Sequence, residues 1–345
     1  MDDRLSTAFF ALLRTGLGLE DLNLAGWWPL TPDEWDGVYR IAVRHTVQGV
    51  VFDALQPLPD DEGRMPLELA AKWAMEVEEN TRNWKKQAAV IKAQNATWAK
   101  NGLEGVVLKG HSSAALYPHP EHRICGDIDW WFGNAGAWEK ANGIASTIVG
   151  EMTEDSDGDI HYCFNGVMIE HHRRWNDASS AKAKKELGQL CPDSPEGVLA
   201  LLNFHILKHA MVFGIGLRQV CDLVMAYRRF DGKYDTQALD RILERCGLGR
   251  WTLLLKGLMV NVFGENALPC GVRPRTKISG RSVKRLFGLI MADGNFGKET
   301  GRGAGSLIST LKSRLFFFLR YAPLECLARL SGLTAGRIKR KRITI

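Results

Sequence analysis

The segment 161–170 constrains the fold of this chain more than any other stretch of its sequence. Two short runs of strand-forming residues flank the dipeptide Asn165-Gly166, which is a strong sequence signal for a two-residue type I′ turn. A turn of that length fixes the register of the two strands, so His161 is expected to face Glu170. The sequence therefore predicts an antiparallel β-hairpin in a chain that otherwise has mostly helical patterns.

Helical and strand patterns follow one another in a simple order. Apolar residues have helical spacing before Gly102, and Thr31-Pro32 supplies an N-cap and a first helical residue. Strand patterns begin after Gly102, and helical patterns return after Pro195. We therefore predict an α+β fold, a small mixed-sheet core flanked by helical regions. The predicted divisions are residues 1–101 (helical), 102–176 (α/β core), 177–270 (helical domain) and 271–345 (basic helical region).

Two carboxylates lie one residue apart in the predicted strand 127–132. Period-two geometry places Asp127 and Asp129 on one face of that strand. Two carboxylates so close repel each other unless a cation lies between them, and oxygen ligands suit Mg²⁺ or Mn²⁺. If the hairpin lies beside this strand, Glu170 joins the pair as a third metal ligand or as the base that accepts a hydroxyl proton.

A strand-to-helix connection just upstream has features of a phosphate site. The sequence Leu108-Lys109-Gly110-His111-Ser112 leads from a buried-strand pattern into a short helix. Free amides at a helix N-terminus attract anions, and glycine lets a phosphate approach the backbone. Lys109 either reaches a phosphate as a point charge or extends its ammonium from the strand end into solvent. A glycine before a helix is commonly only a turn, so the pattern gains weight from the carboxylates that follow it.

The order of these motifs resembles the nucleotidyltransferase superfamily typified by DNA polymerase beta: a glycine–serine turn, a short helix, an Asp-x-Asp strand and an acid on a later strand. More closely, the chain resembles a bacterial family of uncharacterised nucleotidyltransferases over roughly residues 5–265. The segments that carry this resemblance are Glu34-Trp35, Val47-Gln48-Gly49-Val50-Val51, Leu108-Lys109-Gly110, Leu116-Tyr117-Pro118, Pro120-Glu121-His122-Arg123, Gly126-Asp127-Ile128-Asp129, Ile169-Glu170-His171 and Leu217-Arg218-Gln219-Val220-Cys221-Asp222-Leu223.

This resemblance implies two divalent ions held by the three carboxylates, with the triphosphate of a nucleotide on the glycine turn. The superfamily usually has adjacent Gly and Ser, whereas His111 separates Gly110 from Ser112 here, so either His111 or Ser112 contacts phosphate. Arg123 either clamps a phosphate or pairs with the first aspartate. The resemblance also implies that Arg218 reaches toward the site from the helical domain.

Two histidine pairs do not predict a zinc site. His205 and His209 share a helical face but lack an HExxH context, and His171 and His172 are expected on opposite faces of a strand. His161 either orients the carboxylate of the third acid or is a satisfied structural histidine.

Positive charge is concentrated at the C-terminus. Residues 271–345 contain 17 Lys/Arg and three Asp/Glu, whereas residues 1–270 contain 28 and 36. Such a region either docks on an anionic membrane surface or nucleic acid, or is a solvated basic face. The aromatic run 315–319 and the basic run 337–342 predict either an amphipathic basic segment or a buried helix with a frayed basic end.

The composition is that of an ordinary folded protein, with 45% hydrophobic and 24% charged residues. Seven cysteines without a CxxC pair indicate reduced thiols and not a disulfide framework or a zinc site. The sequence has no uninterrupted apolar run long enough for a transmembrane segment, and its acidic start is unlike a secretory signal. We therefore expect a cytoplasmic protein, with peripheral membrane contact as an option for its tail.

Residues and resemblance together predict a metal-dependent nucleotidyltransferase. An acceptor hydroxyl attacks the α-phosphorus of a nucleoside triphosphate in line, and pyrophosphate leaves. The sequence does not identify the acceptor, and it does not determine which nucleoside triphosphate, ATP or another, is preferred. Two alternatives remain: a non-catalytic nucleotide-binding or scaffold protein that docks through its basic tail, and a kinase-like phosphotransferase acting at the γ-phosphate.

Overall fold

A five-stranded mixed sheet lies in the first of two units into which the backbone divides, Met1–Trp175 and Asn176–Ile345. The computed structural model describes the backbone of residues 3–56, 58, 63–155, 157–274, 276, 278–295 and 314–342. Within these ranges, side chains are described from residue 4 to residue 332.

The sheet and its helices alternate along the first unit. The helices are α1 (Asp3–Gly16), α2 (Pro32–Arg44), α3 (Gln48–Asp53), α4 (Leu67–Lys100), α5 (His111–Ala114) and α6 (Ala135–Ser146). The strands are β1 (Val106–Val107), β2 (Ile128–Trp131), β3 (Met152–Glu154), β4 (Ile160–Phe164) and β5 (Val167–His171). Their order is β1-β2-β5-β4-β3; β2 and β5 run parallel, and the other neighbours are antiparallel. The predicted α+β class is confirmed.

Strands β4 and β5 form the predicted hairpin. Asn165 and Gly166 occupy its turn with φ of 51° and 68°, left-handed values that Asn and Gly accept more readily than other residues. The register pairs His161 with Glu170, as predicted. The edge strand β3 is absent from the sequence prediction, because its three residues are exposed or only partly buried and lack an apolar alternation.

Helices α4 and α6 contribute to the hydrophobic core on one face of the sheet. Trp98 of α4 and Trp138 of α6 are buried in one cluster with Ile128 and Trp130 of β2. Each large apolar side chain buried there contributes about 1.5–3 kcal/mol. Asp129 lies between Ile128 and Trp130, so its side chain points to the opposite face. The two faces of β2 thus separate the core from the acids.

Polar side chains also attach α4 to the sheet and to the loop before β2. Gln94 Nε2 donates to the Tyr162 hydroxyl at 2.9 Å, and Trp130 Nε1 donates to Gln94 Oε1 at 2.8 Å. Gln87 Nε2 donates to the Gly126 carbonyl at 2.7 Å. The position of the residues just before β2 therefore depends on α4.

Caps and one side-chain pair organise the helices at the N-terminus. Helix α2 begins with the predicted Thr31 cap, which forms a capping box with Glu34. Helix α3 is tied to a 3-10 helix at Pro120–His122, because His122 Nδ1 lies 2.5 Å from Asp53 Oδ1. The hydrogen bond to Asp53 raises the pKa of His122.

Helices make up the regular structure of the second unit as far as it is described. They are α7 (Ala181–Leu187), α8 (Pro195–Val212), α9 (Leu217–Arg229), α10 (Thr236–Arg245), α11 (Gly249–Phe263), α12 (Gly280–Asp293), α13 (residues 314–321) and α14 (Pro323–Arg342), with a 3-10 helix at Glu265–Ala267. Most of α8 is buried, which agrees with a central place in this unit. Across the described chain, no helix has both the length and the apolar character needed to cross a bilayer.

The helices near the C-terminus are attached to the second unit by buried charged side chains. Arg314 forms a bidentate pair with Asp293, at 2.7 and 2.6 Å. Glu325 is 2% exposed and accepts hydrogen bonds from the backbone amides of Ser179 and Ser180. The side chains of the predicted basic run 337–342 lie outside the described residues.

Candidate active site

The register of β2 against β5 brings the three predicted carboxylates together. Asp129 lies opposite Glu170 in this parallel pair. Asp127 precedes β2 by one residue, and its carboxyl group hydrogen-bonds to Glu170. The hairpin turn sets the register of β5 against β4. It therefore also helps to position Glu170 beside the aspartates.

Asp129 is fully buried and has two cationic partners. Its Oδ1 is 2.9 Å from the Lys109 ammonium and 2.6 Å from His172 Nε2. Burial by itself raises the pKa of Asp129, but Lys109 and then His172 outweigh burial and hold the pKa well below its usual range. The second oxygen, Oδ2, is buried and has no hydrogen-bond partner among the described residues.

The surroundings of the neighbouring Asp127 shift its pKa in the opposite direction. The negative charge of Asp129, followed by burial and by Glu170, raises the pKa of Asp127 to about 7, although Lys109 opposes this. The sequence suggests that repulsion between the two aspartates requires a bound cation. In the structure, Lys109 and His172 already compensate Asp129, and the remaining repulsion appears as the raised pKa of Asp127.

Glu170 is held between two histidines. His161 Nδ1 is 3.0 Å from its Oε1, and His172 Nε2 is 3.3 Å from its Oε2. Burial raises the pKa of Glu170, but the hydrogen bond with His172 and the charge of Lys109 outweigh it, so the pKa is lowered. The contact between His161 and Glu170 is the one that the hairpin register predicts.

His172 belongs to this cluster, although the sequence analysis did not predict it as a site residue. It follows β5 directly, and its Nδ1 lies 2.7 Å from Asp159 Oδ2. Burial and Lys109 lower the pKa of His172, but hydrogen bonds to Asp129, Asp159 and Glu170 outweigh them and raise it well above its usual value. The signal that could have identified it is the i, i+2 spacing of Glu170 and His172, which puts both side chains on one face.

The adjacent His171 points the other way, as predicted for consecutive strand residues. Its Nε2 lies 2.8 Å from the Tyr162 hydroxyl and its Nδ1 lies 2.7 Å from Asn142 Oδ1. Burial lowers the pKa of His171 to about 3, so the ring is neutral. His171 therefore belongs to the core and not to the carboxylate cluster.

Oxygen and nitrogen atoms suitable for a divalent cation converge at this cluster. Among the residues that the structure describes, Asp129, Glu170 and His172 each place one ligand atom within 4.8 Å of the others. A buried polar atom without a partner costs about 1–3 kcal/mol, and more when charged, so the unpartnered Oδ2 of Asp129 favours a ligand there. Carboxylate and imidazole donors together with this oxygen fit a divalent cation.

The connection from β1 to α5 turns at Gly110 beside the carboxylates. Gly110 has φ of 66°, and a Cβ at this position would lie 3.1 Å from the Asp127 carbonyl oxygen and 3.8 Å from Asp129 Oδ2. Helix α5 has only four residues, so its dipole is weaker than that of a full-length helix. An anion at this turn therefore depends on nearby cationic side chains as well as on backbone amides.

The remaining predicted phosphate ligands of the first unit lie along or beside this turn. His111 stacks on Trp84 of α4, with ring centroids 5.0 Å apart, and Ser112 is half-buried. Burial and then the charge of Arg123 lower the pKa of His111. Arg123 is itself buried and donates to the Ile124 carbonyl at 3.0 Å.

Lys109 and Arg218, two cationic residues predicted for the site, belong to different units. The Lys109 side chain is 21% exposed and its ammonium contacts Asp129, so it lies within the carboxylate cluster in this structure and does not extend into solvent. Arg218 is the second residue of α9 and belongs to the second unit. The structure thus brings Lys109 and Gly110 together with the three carboxylates, and Arg218 is outside the first unit.

A family model described as an uncharacterised nucleotidyltransferase matches residues 31–264. This match covers about two thirds of the chain, and the chain belongs to that family. The matched region contains the sheet, the carboxylate cluster and the helices as far as α11. Comparisons with curated proteins and with solved structures find no significant match. The family supports nucleotidyl transfer as the general activity.

Proposed function

We propose that the protein is a metal-dependent nucleotidyltransferase that transfers a nucleoside monophosphate from a nucleoside triphosphate to a hydroxyl acceptor and releases pyrophosphate. The observation that carries the proposal is the pairing of Asp129 with Glu170 across two parallel strands, with Asp127 just before β2. Family membership supports the same activity. The motif order further supports assignment to the superfamily of DNA polymerase beta.

In this proposal Asp127, Asp129 and Glu170 hold divalent ions, Mg²⁺ or Mn²⁺. Two observations support this role: Asp129 Oδ2 has no hydrogen-bond partner among the described residues, and the raised pKa of Asp127 reflects repulsion that a cation would relieve. When bound, divalent ions supply positive charge that lowers the pKa of the acceptor hydroxyl and neutralises the triphosphate.

The transfer is an in-line displacement at the α-phosphorus. A bond forms between the acceptor oxygen and the α-phosphorus, the bond from the α-phosphorus to the α,β-bridging oxygen breaks, and pyrophosphate leaves with that electron pair. Glu170 accepts the proton of the acceptor hydroxyl, and His161, 3.0 Å from its Oε1, orients the carboxylate. Positioning of both reactants supplies a further part of the acceleration.

The triphosphate is assigned to the Gly110 turn. The absence of a Cβ at Gly110 lets a phosphate approach the backbone beside the carboxylates. Lys109 and Arg123 supply positive charge near the turn, and His111 or Ser112 contacts a phosphate oxygen. Because α5 is short, these side chains carry more of the anion binding than a helix dipole does.

Recognition of the acceptor is assigned to the helices that flank the sheet. Arg218 of α9 is proposed as a further nucleotide-binding residue. The family match extends to residue 264 and so includes the helices through α11.

The proposal is tested by following the fate of each phosphate. The full-length protein is incubated with Mg²⁺ or Mn²⁺, with α- or γ-labelled ATP, GTP, CTP or UTP, and with a cell extract as the source of acceptors. We expect the α-label to become covalently attached to an extract component as pyrophosphate accumulates. Asp127→Asn should abolish this transfer, whereas Asp157→Asn, which changes an exposed acid of the same unit, should leave it intact.

The alternative functions give different products. A kinase-like enzyme would transfer the γ-label and release nucleoside diphosphate, and a scaffold protein would release neither product. An Asp127→Asn variant that retained full transfer would contradict the assigned role of this carboxylate.

A further inference from the structure

The position of His172 is one that a metal ligand would occupy. Its Nε2 lies 2.6 Å from Asp129 Oδ1 and 3.3 Å from Glu170 Oε2, so this nitrogen is between the two carboxylates that face each other across β2 and β5. The side chain is 13% exposed. A donor atom that approaches both carboxylates in a nearly buried position can share one cation with them.

Asp159 fixes the orientation of this imidazole. Asp159 Oδ2 lies 2.7 Å from His172 Nδ1, and its Oδ1 accepts a hydrogen bond from the backbone amide of Arg173 at 2.8 Å. Metal-binding histidines commonly donate their second ring nitrogen to a carboxylate in this way, which fixes the ring and makes the first nitrogen a better donor. When the Nε2 proton is displaced on metal binding, Asp159 Oδ2 would keep the proton on Nδ1, and the Nε2 lone pair would be directed toward the carboxylates.

An independent observation indicates a ligand at the same place. Asp129 is fully buried, yet its Oδ2 has no hydrogen-bond partner within the described part of the chain. This oxygen lies near Gly110, 3.8 Å from the point where a Cβ of residue 110 would be. Among the described residues nothing fills this coordination position of Asp129, so a cation can complete it.

We propose that His172 is a direct nitrogen ligand of the divalent ion at this site, positioned by Asp159, and that the site therefore binds Mn²⁺ or Co²⁺ more tightly than Mg²⁺. Mg²⁺ strongly prefers oxygen ligands, whereas imidazole raises the affinity of a site for first-row transition ions. This inference rests on the proposed function, since it assigns the donor set of the same metal site.

The direct test is pulsed electron paramagnetic resonance of Mn²⁺ bound to the full-length protein, with and without ATP. We expect a strong ¹⁴N modulation from a directly coordinated imidazole. His172→Gln should remove this modulation. His161→Gln is the matched control, because it removes the other histidine that contacts Glu170 and should leave the modulation in place.

Titration of the metals provides a second readout. His172→Gln should weaken Mn²⁺ and Co²⁺ binding about tenfold or more and Mg²⁺ binding only slightly, and Asp159→Asn should weaken Mn²⁺ binding about tenfold. Bound Mn²⁺ without ¹⁴N modulation in the wild-type protein would overturn the inference and leave the proposed function standing. If the wild-type protein binds none of these metals, with or without ATP, both the inference and the proposed metal site are wrong.

Discussion

Asp127 and Asp129 are two residues apart, but their surroundings shift the pKa values of the two carboxyl groups in opposite directions. Lys109 and His172 keep Asp129 ionised despite full burial, whereas the charge of Asp129 raises the pKa of Asp127 to about 7. Metal binding would favour the ionised form of Asp127 and should therefore displace a proton near neutral pH. We therefore expect metal binding and proton release to be linked at Asp127.

Replacement of Asp127 with Asn should stabilise the metal-free protein, increasingly so as pH rises. The folded state binds the Asp127 proton more tightly than the unfolded state, so wild-type stability falls as pH rises from about 4 through about 7. Asn does not titrate, so the stability of the variant relative to wild type should increase by about 2–3 kcal/mol as pH rises from 5 to 8. Urea unfolding in EDTA measures the difference. An equal difference at both pH values would contradict the assigned coupling.

Replacement of Gly110 with Ala should disturb nucleotide binding more than its effect on stability suggests. Gly102→Ala is the matched control, since Gly102 has φ of 64° and no atom within 4 Å of its added Cβ. Both variants should lose on the order of 1 kcal/mol of stability because of their left-handed backbone. Only Gly110→Ala should lose stabilisation by ATP with metal, measured by melting. Equal ATP response in the two variants would argue against a phosphate at the turn.

Helix α4 connects the core to the loop that carries Asp127. Its Gln94 bonds the Trp130 indole and the Tyr162 hydroxyl, and its Gln87 bonds the Gly126 carbonyl. The buried bonds are strong because water does not compete for them. At the scale of elements, this helix therefore links the stability of the sheet to the position of the first aspartate.

Gln94→Leu should destabilise the first unit by about 2–4 kcal/mol, because the Trp130 indole nitrogen loses its acceptor while it remains buried. Chemical denaturation measures this change. Lys92→Leu, on the exposed face of the same helix, should change stability by less than about 0.5 kcal/mol. If the two variants were equally stable, the Gln94 bonds would not hold α4 to the sheet.

A buried histidine at the C-terminus of α2 should make the folded protein less stable at acidic pH. His45, the C-cap of α2, is fully buried, and burial together with Arg44 lowers its pKa to about 4. Because protonation favours the unfolded chain, the stability contributed by neutral His45 is present above about pH 6.5 and is lost as pH falls toward 4. His45 should account for about 2 kcal/mol of destabilisation between pH 7 and pH 5.

His45→Gln should remove this part of the pH dependence. The measurement is the difference in unfolding free energy between pH 7 and pH 5 for wild type and variant. Identical pH slopes for the two proteins would show that His45 titrates normally in the folded state.

Local rules predicted the parts of the site that depend on neighbours in sequence. The two-residue turn at Asn165-Gly166 fixes the pairing of His161 with Glu170, and strand period two predicts one face for both aspartates. The approach of the aspartates to Glu170 depends on the pairing of β2 with β5, which entered the sequence prediction only as a condition. The same register pairs Ile160 with His171 and, one position further, brings Asp159 opposite His172, so this contact follows from the hairpin although it was not predicted. The stacking of Trp84 on His111 was missed because it joins α4 to the Gly110 turn, and sequence periodicity contains no information about such tertiary contacts.

At the scale of the whole molecule, the described cluster lies in the first unit and the basic residues lie mostly in the second. Glu325 and Arg314 attach the C-terminal helices to that unit through buried polar contacts. Phe317 and Phe318 are buried whereas Phe316 is 84% exposed, so the aromatic run has one face in the core. Docking of the basic end on a membrane or nucleic acid stays a prediction.

The measurement that tests the central claim most directly is thermal melting of the full-length protein with each nucleoside triphosphate, with Mg²⁺ or Mn²⁺, and with both together. A ligand at a hundredfold its Kd adds about 2.7 kcal/mol to the stability of the folded state, which corresponds to a shift of several degrees. We predict a shift that needs triphosphate and metal together and disappears in Asp127→Asn. An equal shift in that variant, or no shift with any triphosphate and either metal, would contradict the claim that the carboxylate cluster binds a metal–nucleotide complex.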